Sequence, residues 1–213
     1  LSSDVCSSDF VRLLQRFGVP FNTLTSVNRT NAQKPQEVYR FLRSEVGATY
    51  MQFIPIVEYK GFEKTAPNQW DYAALPKDGA PEARPGHADS IVTDWSVDPD
   101  DWGRFLCVIF DRWVQKDVGR ILVNHFESLL SQHLGEGPQI CIYNECCGKG
   151  VAVEHDGSVY ACDHYVYPEY RLGNLTNTAL DSQVFSRRHV KFGYAKHETL
   201  PEYCRQCPYL PDC

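Results

Sequence analysis

The alternation of apolar and polar positions changes character twice along the chain. Leu1-Ser-Ser-Asp-Val-Cys-Ser-Ser-Asp9 repeats Ser-Ser-Asp without apolar periodicity, so residues 1–9 read as a disordered or non-native tail. From Phe10 a second regime begins, in which helical and strand-like spacing take turns. An apolar helix end, Phe10-Val-Arg-Leu-Leu14, leads into Val19–Val27, which alternates like a strand, and a polar turn follows at Asn28–Asn31. Gln36–Val46 carries apolar residues at helical spacing, Gly47 is placed to end it, and Thr49–Val57 reads as a buried strand. The next forty residues are rich in Pro, Gly, Asp and Ala, which predicts a long excursion of the kind that covers a site. Ser96-Val-Asp-Pro-Asp-Asp-Trp102 then supplies capping residues and acid for a helix to about Val118. Arg120–Phe126 reads as a further strand and Glu127–Leu134 as a short helix. Within the helix, Cys107 sits in an apolar run and is expected in the core.

After Gly137 the pattern changes again, to cysteines and turns. Gly150–Cys162 reads as a hairpin around Asp156-Gly157 whose closing strand delivers Cys162. Asn177–Lys191 reads as helix, and Cys204–Cys213 brings three cysteines onto loops. Strands alternating with helices predict parallel pairing, with an active site at the C-terminal strand ends. Only about half a barrel is visible, so the pattern leaves open a barrel short of strands or a small open α/β domain.

Composition narrows the function. With 21 Lys plus Arg against 27 Asp plus Glu, and a net charge of −6, the chain has no basic field to gather nucleic acid or anionic lipid. No apolar stretch nears the roughly 20 residues of a membrane-spanning helix, and the first residues lack a signal-peptide pattern, which predicts a cytoplasmic protein. Nine cysteines remain to be explained, and seven of them fall in the last third, at 141, 146, 147, 162, 204, 207 and 213. Without an export signal, such clustering points to metal rather than to disulfides.

Soft thiolates hold zinc or iron–sulfur clusters. A lone Cys-x2-Cys pair is weak support, but here it continues as Cys204-x2-Cys207-x5-Cys213, with Cys141-x5-Cys147 and Cys147-x14-Cys162 upstream. Cys146 has no obvious place in this scheme, since adjacent cysteines rarely reach one cluster together, and is read as a spare thiol. His164 beside aromatic residues reads as a packed side chain, and Tyr165, Tyr167 and Tyr170 as core.

The segment Cys141-Ile-Tyr-Asn-Glu-Cys-Cys-Gly-Lys-Gly150, followed by Asp156-Gly-Ser-Val-Tyr-Ala-Cys-Asp-His-Tyr165 and Pro168-Glu-Tyr-Arg-Leu-Gly-Asn174, resembles the SPASM-type cluster domain of anaerobic sulfatase-maturating enzymes, which are radical S-adenosylmethionine (SAM) proteins. The resemblance implies the C-terminal half of a partial (β/α)6 barrel over 10–138 and a truncated SPASM-type iron–sulfur domain over 139–213. It assigns Cys141, Cys147 and Cys162 to one auxiliary [4Fe–4S] cluster and Cys204, Cys207 and Cys213 to a second, each short of one ligand in this chain. The family pattern runs on as Cys-x2-Cys-x5-Cys-x3-Cys, and its SAM-cleaving motif Cys-x3-Cys-x2-Cys occurs nowhere in these residues, so the resemblance implies a C-terminal fragment, inactive alone.

Further implications follow from the same resemblance. Asp163 matches the residue that removes a proton from the substrate, a task for a carboxylate whose pKa is tuned by partial burial. Val57, at the end of the strand Gln52-Phe-Ile-Pro-Ile-Val57, aligns with the contact to the SAM adenine. The implied reaction is oxidation of a sulfatase cysteine or serine to formylglycine, with a sulfatase polypeptide as substrate and a flavodoxin or ferredoxin as reductant. Two alternatives keep the cysteines but change the function: a radical SAM enzyme acting on another peptide, and a zinc-stabilised binding module with no chemistry.

Overall fold

The computed structural model describes residues 3–61, 71–77 and 79–213. Leu1 and Ser2 of the tail, and residues 62–70 and 78 of the long excursion, lie outside the described residues. The chain divides into two compact units, Leu1–Glu127 and Ser128–Cys213. No helix among the described residues is long and apolar enough to cross a membrane.

The first unit is a parallel sheet with crossover helices. Helix α1 spans Ser3–Arg16, so helix begins inside the stretch whose pattern reads as a tail. Strand β1 (Thr23–Val27) pairs in parallel with β2 (Tyr50–Pro55), which pairs with β3 (Leu122–Val123), in the order β1-β2-β3. The registers Thr23↔Met51 and Met51↔Val123 put Val27, Met51, Phe53 and Val123 on one face. All four are buried.

Helix α2 (Pro35–Arg40) widens into a π-helical turn at Phe41–Glu45, and Gly47 then takes φ +66°, which a side chain would resist. Helix α3 (Pro99–Lys116) starts as the sequence pattern requires, with Pro99 in its first turn and the Asp98 carboxylate accepting the Asp100 amide at 2.9 Å. Phe105, Ile109 and Trp113, four residues apart, form its buried face. The Phe105 ring meets Phe53 edge-on at 5.3 Å, and Trp113 donates its indole N–H to the Ile121 carbonyl at 2.7 Å. Below them Asp117, buried in the turn after α3, accepts from Tyr39 Oη at 2.9 Å and from Arg43 Nε at 2.9 Å. Burial would raise the Asp117 carboxyl, but the Arg43 and Tyr39 hydrogen bonds outweigh it and hold the group below its ordinary value.

Two expectations are corrected here. The strand expected over Arg120–Phe126 is only Leu122–Val123, because Asn124, a residue type favoured at helix starts, opens α4 (Asn124–His133). Phe126 thereby reaches the core from a helix, packing 5.3 Å from Trp113. Cys107 is exposed rather than in the core. It lies two residues from Phe105, about 200° round the helix from the buried face.

The second unit is smaller and antiparallel. Strands β4 (Ala152–Val153), β5 (Ser158–Tyr160) and β6 (Arg171–Asn174) pair in that order, with a bulge at Val159/Tyr160. The hairpin turn at Asp156-Gly157 is the expected one: Gly157 has φ +80°, and the Asp156 carboxylate accepts the Ser158 amide at 2.8 Å. The helix expected over Asn177–Lys191 is broken into α5 (Leu180–Val184) and α6 (Arg187–Glu198), because Ser186 stops to cap α6, its hydroxyl accepting the His189 amide at 3.2 Å. A short α7 (Glu202–Arg205) follows.

Candidate metal centre

Each upstream cysteine is delivered by a different local device. Cys141 opens a 3-10 turn through Tyr143 and is exposed, Cys146 and Cys147 lie half-buried in the loop beyond it, and Cys162 stands half-buried past the end of β5. The Cys147 amide donates to the Gly193 carbonyl on α6 at 3.0 Å, which anchors that loop.

The thiols share one electrostatic neighbourhood. Burial pushes the Cys147 thiol up, and Cys141 and Cys146 add to the rise while the Lys196 ammonium opposes it. Cys162 is pushed up to about 11 by burial, by its hydrogen bond to Asp163 and by Cys147. Cys147 is thus within electrostatic reach of both Cys141 and Cys162. Thiols crowded in this way resist ionising together unless a cation compensates, and metal binding must drive their protons off.

Around Cys162 the next two side chains turn back on the sulfur. Cys162 Sγ lies 3.2 Å from Asp163 Oδ1 and 3.7 Å from His164 Nδ1, with 3.1 Å between the carboxylate and the ring. The hydrogen bond from the thiol, with His164 beside it, holds the Asp163 carboxyl below its ordinary value. Asp163 is 78% exposed in its side chain, so the partial burial expected to tune a proton acceptor is not what sets its charge. His164, read from sequence as packed, is also exposed. Tyr165 and Tyr170 do pack, at 4.8 Å from one another and 5.4 and 5.6 Å from Phe192.

The downstream cysteines form a chain of turns. Cys207 N donates to the Cys204 carbonyl at 3.2 Å, Leu210 N to Cys207 and Cys213 N to Leu210 at the same distance. Cys204 and Cys207 are half-buried and Cys213 is exposed. Cys213 borders a cavity of about 380 Å³ lined also by Tyr143, Asn144, Lys196 and Leu210. Tyr143, two residues after Cys141, is pushed up to about 12 by burial and by Cys213. Cys213 is the candidate ligand on that cavity's lining. Val57, in the first unit, lies beyond the C-terminal end of β2 and is 62% exposed.

The donor set is rich in thiols, which as thiolates hold zinc and iron–sulfur clusters alike. Sulfurs round a tetrahedral zinc, at about 2.3 Å from the metal, stand about 3.8 Å apart. Among the described residues, the group of three or more candidate ligands within 4.8 Å of one another is Cys162, Asp163 and His164, which has a single thiol. Among the described residues no three cysteines come within 4.8 Å of one another. Sequence reasoning missed the residues that hold them. His189, Gly193 and Lys196 reach the cysteine segments from α6, and only their spacing along one helix face could have signalled it.

Comparison with known proteins adds three findings. The family of iron–sulfur cluster-binding SPASM domains matches residues 141–208. A serine-type anaerobic sulfatase-maturating enzyme of Bacteroides thetaiotaomicron is 37% identical over 203 residues, covering 95% of this chain and 46% of the relative. A cysteine-type enzyme of Clostridium novyi is 28% identical over 205 residues, covering 95% and 47%. The solved structure of native anSMEcpe with bound AdoMet superposes with a TM-score of 0.72 at 25% identity, over 95% of this chain and 48% of that one. Its complex with AdoMet and the Cp18Cys peptide gives 0.71, also at 25% identity, over 95% and 49%. The chain spans about half the length of the curated relatives it matches.

Proposed function

The chain is homologous to the anaerobic sulfatase-maturating enzymes along 95% of its length, and on that premise we propose that it serves in sulfatase maturation, the oxidation of a sulfatase cysteine or serine side chain to formylglycine. The observation that carries the reading is the coincidence of the SPASM match over 141–208 with the coupled thiols of Cys141, Cys147 and Cys162. Relatives of both substrate types match, which supports the reaction class rather than either side chain.

Cys141, Cys147 and Cys162 hold one auxiliary [4Fe–4S] cluster, and Cys204, Cys207 and Cys213 contribute to a second. When bound, SAM and its own cluster would supply the oxidant that removes a hydrogen atom from the substrate carbon, and an auxiliary cluster would accept the one further electron that leaves with the proton. Asp163 receives the proton lost from the substrate side chain at its exposed carboxylate. A carboxylate is ionised at neutral pH in any case, so an acceptor oxygen is ready without prior deprotonation. His164, 3.1 Å from the same oxygen, fixes the carboxylate's orientation. Val57, exposed beyond β2, offers an apolar face to the SAM adenine. A flavodoxin or ferredoxin reduces the assembled enzyme, and the 213 residues alone, without a Cys-x3-Cys-x2-Cys motif, do not start the reaction.

The test is made at the relatives' full length. The polypeptide containing this chain, loaded anaerobically with iron and sulfide, is incubated with SAM, a reductant and a peptide bearing a sulfatase motif. An aldehyde on the peptide is expected. Its absence with every cluster loaded overturns the proposal.

A further inference from the structure

Three main-chain segments must converge for Cys141, Cys147 and Cys162 to meet one metal group, and all three are touched by one face of α6. His189, Gly193 and Lys196 stand at positions i, i+4 and i+7 of that helix, which is the spacing of a single face. His189 is 4% exposed, with Nδ1 2.8 Å from the Val184 carbonyl and Nε2 3.2 Å from the carbonyl of Ala161, the residue before Cys162. The same ring walls the segment after Cys147: a Cβ built on Gly148 would sit 2.7 Å from His189 Nε2. Gly193 takes the Cys147 amide on its carbonyl at 3.0 Å, and its missing side chain matters, since a Cβ there would sit 2.7 Å from the Cys147 carbonyl oxygen. Lys196 donates to the Cys141 carbonyl at 3.2 Å and also to the carbonyl of Ile142.

None of these residues is a ligand, and none acts through its own titration. We propose that this face of α6 is a jig for the first cluster: His189, Gly193 and Lys196 are positioning residues that hold the three cysteine segments at the spacing the cluster needs, with the Lys196 ammonium also biasing its redox state. The inference rests on the auxiliary-cluster reading above. Its physical basis is that ligand geometry and reduction potential are set by the groups that orient the ligands and by fixed charge near the cluster. A cation beside thiolate-bound iron favours the reduced, more negative state.

The test uses the 213-residue chain in a Cys204→Ser/Cys207→Ser background, so that bound iron reports the first site. It is reconstituted anaerobically with iron, sulfide and a small thiol. Iron and sulfide content, the electron paramagnetic resonance signal of the reduced cluster and its midpoint potential are measured. Gly193→Ala is expected to lose most of the bound iron, because the added methyl drives the Cys147 carbonyl away from α6. Lys196→Met, on a partly exposed side chain where folding is not at stake, is expected to retain folding by circular dichroism but to lower the midpoint potential and alter the resonance spectrum; Lys196→Arg restores both. Arg187→Met, at an exposed position about 160° round α6 from His189, leaves all readouts unchanged.

Iron, spectrum and potential unchanged in both Gly193→Ala and Lys196→Met, with the parent chain loaded, overturn the jig while leaving the cluster reading intact. A parent chain that binds no iron and sulfide overturns both. Equal losses in Arg187→Met and Lys196→Met reduce α6 to a generic structural helix and also overturn the proposal.

Discussion

The two units of the chain are held together by different physics. In Leu1–Glu127 the sheet and helices close on a contiguous apolar core that includes Met51, Phe53, Phe105, Ile109, Trp113 and Val123. In Ser128–Cys213 the buried apolar side chains among those described are Val159 and Ala161, beside Gly193 and the polar Ser128, Ser131, Ser158, Gln183 and His189. Hydrophobic burial, at about 25 cal/mol per Å², can sustain the first unit but has little to act on in the second. There the chain is tied through carbonyls and amides around half-buried thiols, and small domains built in that way draw stability from a bound metal. The first unit has its own asymmetry: the helix-covered face of the sheet is buried, while Leu24, Ile54 and Leu122 on the other face are exposed. Parallel sheets are ordinarily covered on both faces.

Removing the metal is the largest perturbation this contrast predicts. Once the chain is reconstituted with iron and sulfide, chelation should abolish the cooperative unfolding transition of residues 128–213 and leave that of the first unit in place. Limited trypsin digestion reads the difference, since Lys149, Arg171, Arg187 and Arg188 all lie in the second unit. Cys147→Ala and Cys162→Ala should reproduce the effect without chelator. Second-unit sites that remain as resistant as before, with iron demonstrably gone, would break the comparison.

A single core substitution should have the converse selectivity. Phe105 is fully buried on the inner face of α3 against Phe53 of β2, and Phe105→Ala is expected to cost about 3–5 kcal/mol of first-unit stability. Urea unfolding followed by tryptophan fluorescence measures it. Iron uptake by the second unit should not change. A loss of iron equal to that in the cysteine variants would mean that the second unit draws on the first unit's core after all.

How much of this was legible in the sequence divides along the same line. The buried face of α3 is written in the four-residue spacing of Phe105, Ile109 and Trp113, and the parallel order in the alternation of elements, because apolar burial leaves a periodic trace. The trace fails where a run is apolar all round: Cys107 shares the composition of its neighbours but points the other way, and Leu122-Val-Asn-His-Phe126 fits strand and helix equally until pairing stops after two residues. In the second unit the cysteine spacing marks the candidate ligands, since only thiol chemistry requires that residue type. What holds the ligands left no such mark. Gly193 accepts the main-chain amide of Cys147 and Lys196 donates to main-chain carbonyls, each about 50 positions away, and nearly any residue type offers those groups.

The smallest expected effect concerns the one buried charge cluster of the first unit among those described here, and it sharpens where that unit departs from pure apolar packing. Asp117 holds Tyr39 and Arg43, and so ties α2 to the end of α3. Its carboxyl is below the ordinary value in the folded state, so its contribution is fully present above the unfolded value, about 3.9, and is lost as pH falls through the lower folded value. Asp117→Asn keeps the shape but removes the charge, which should cost about 1–3 kcal/mol at pH 7. The variant's deficit should shrink as the medium is acidified below about pH 4, because the parent then protonates the same group. Urea unfolding of parent and variant between pH 7 and pH 3 measures both. A deficit that stays constant across that range would show that the carboxylate's charge contributes nothing and that hydrogen-bond geometry alone joins the two helices.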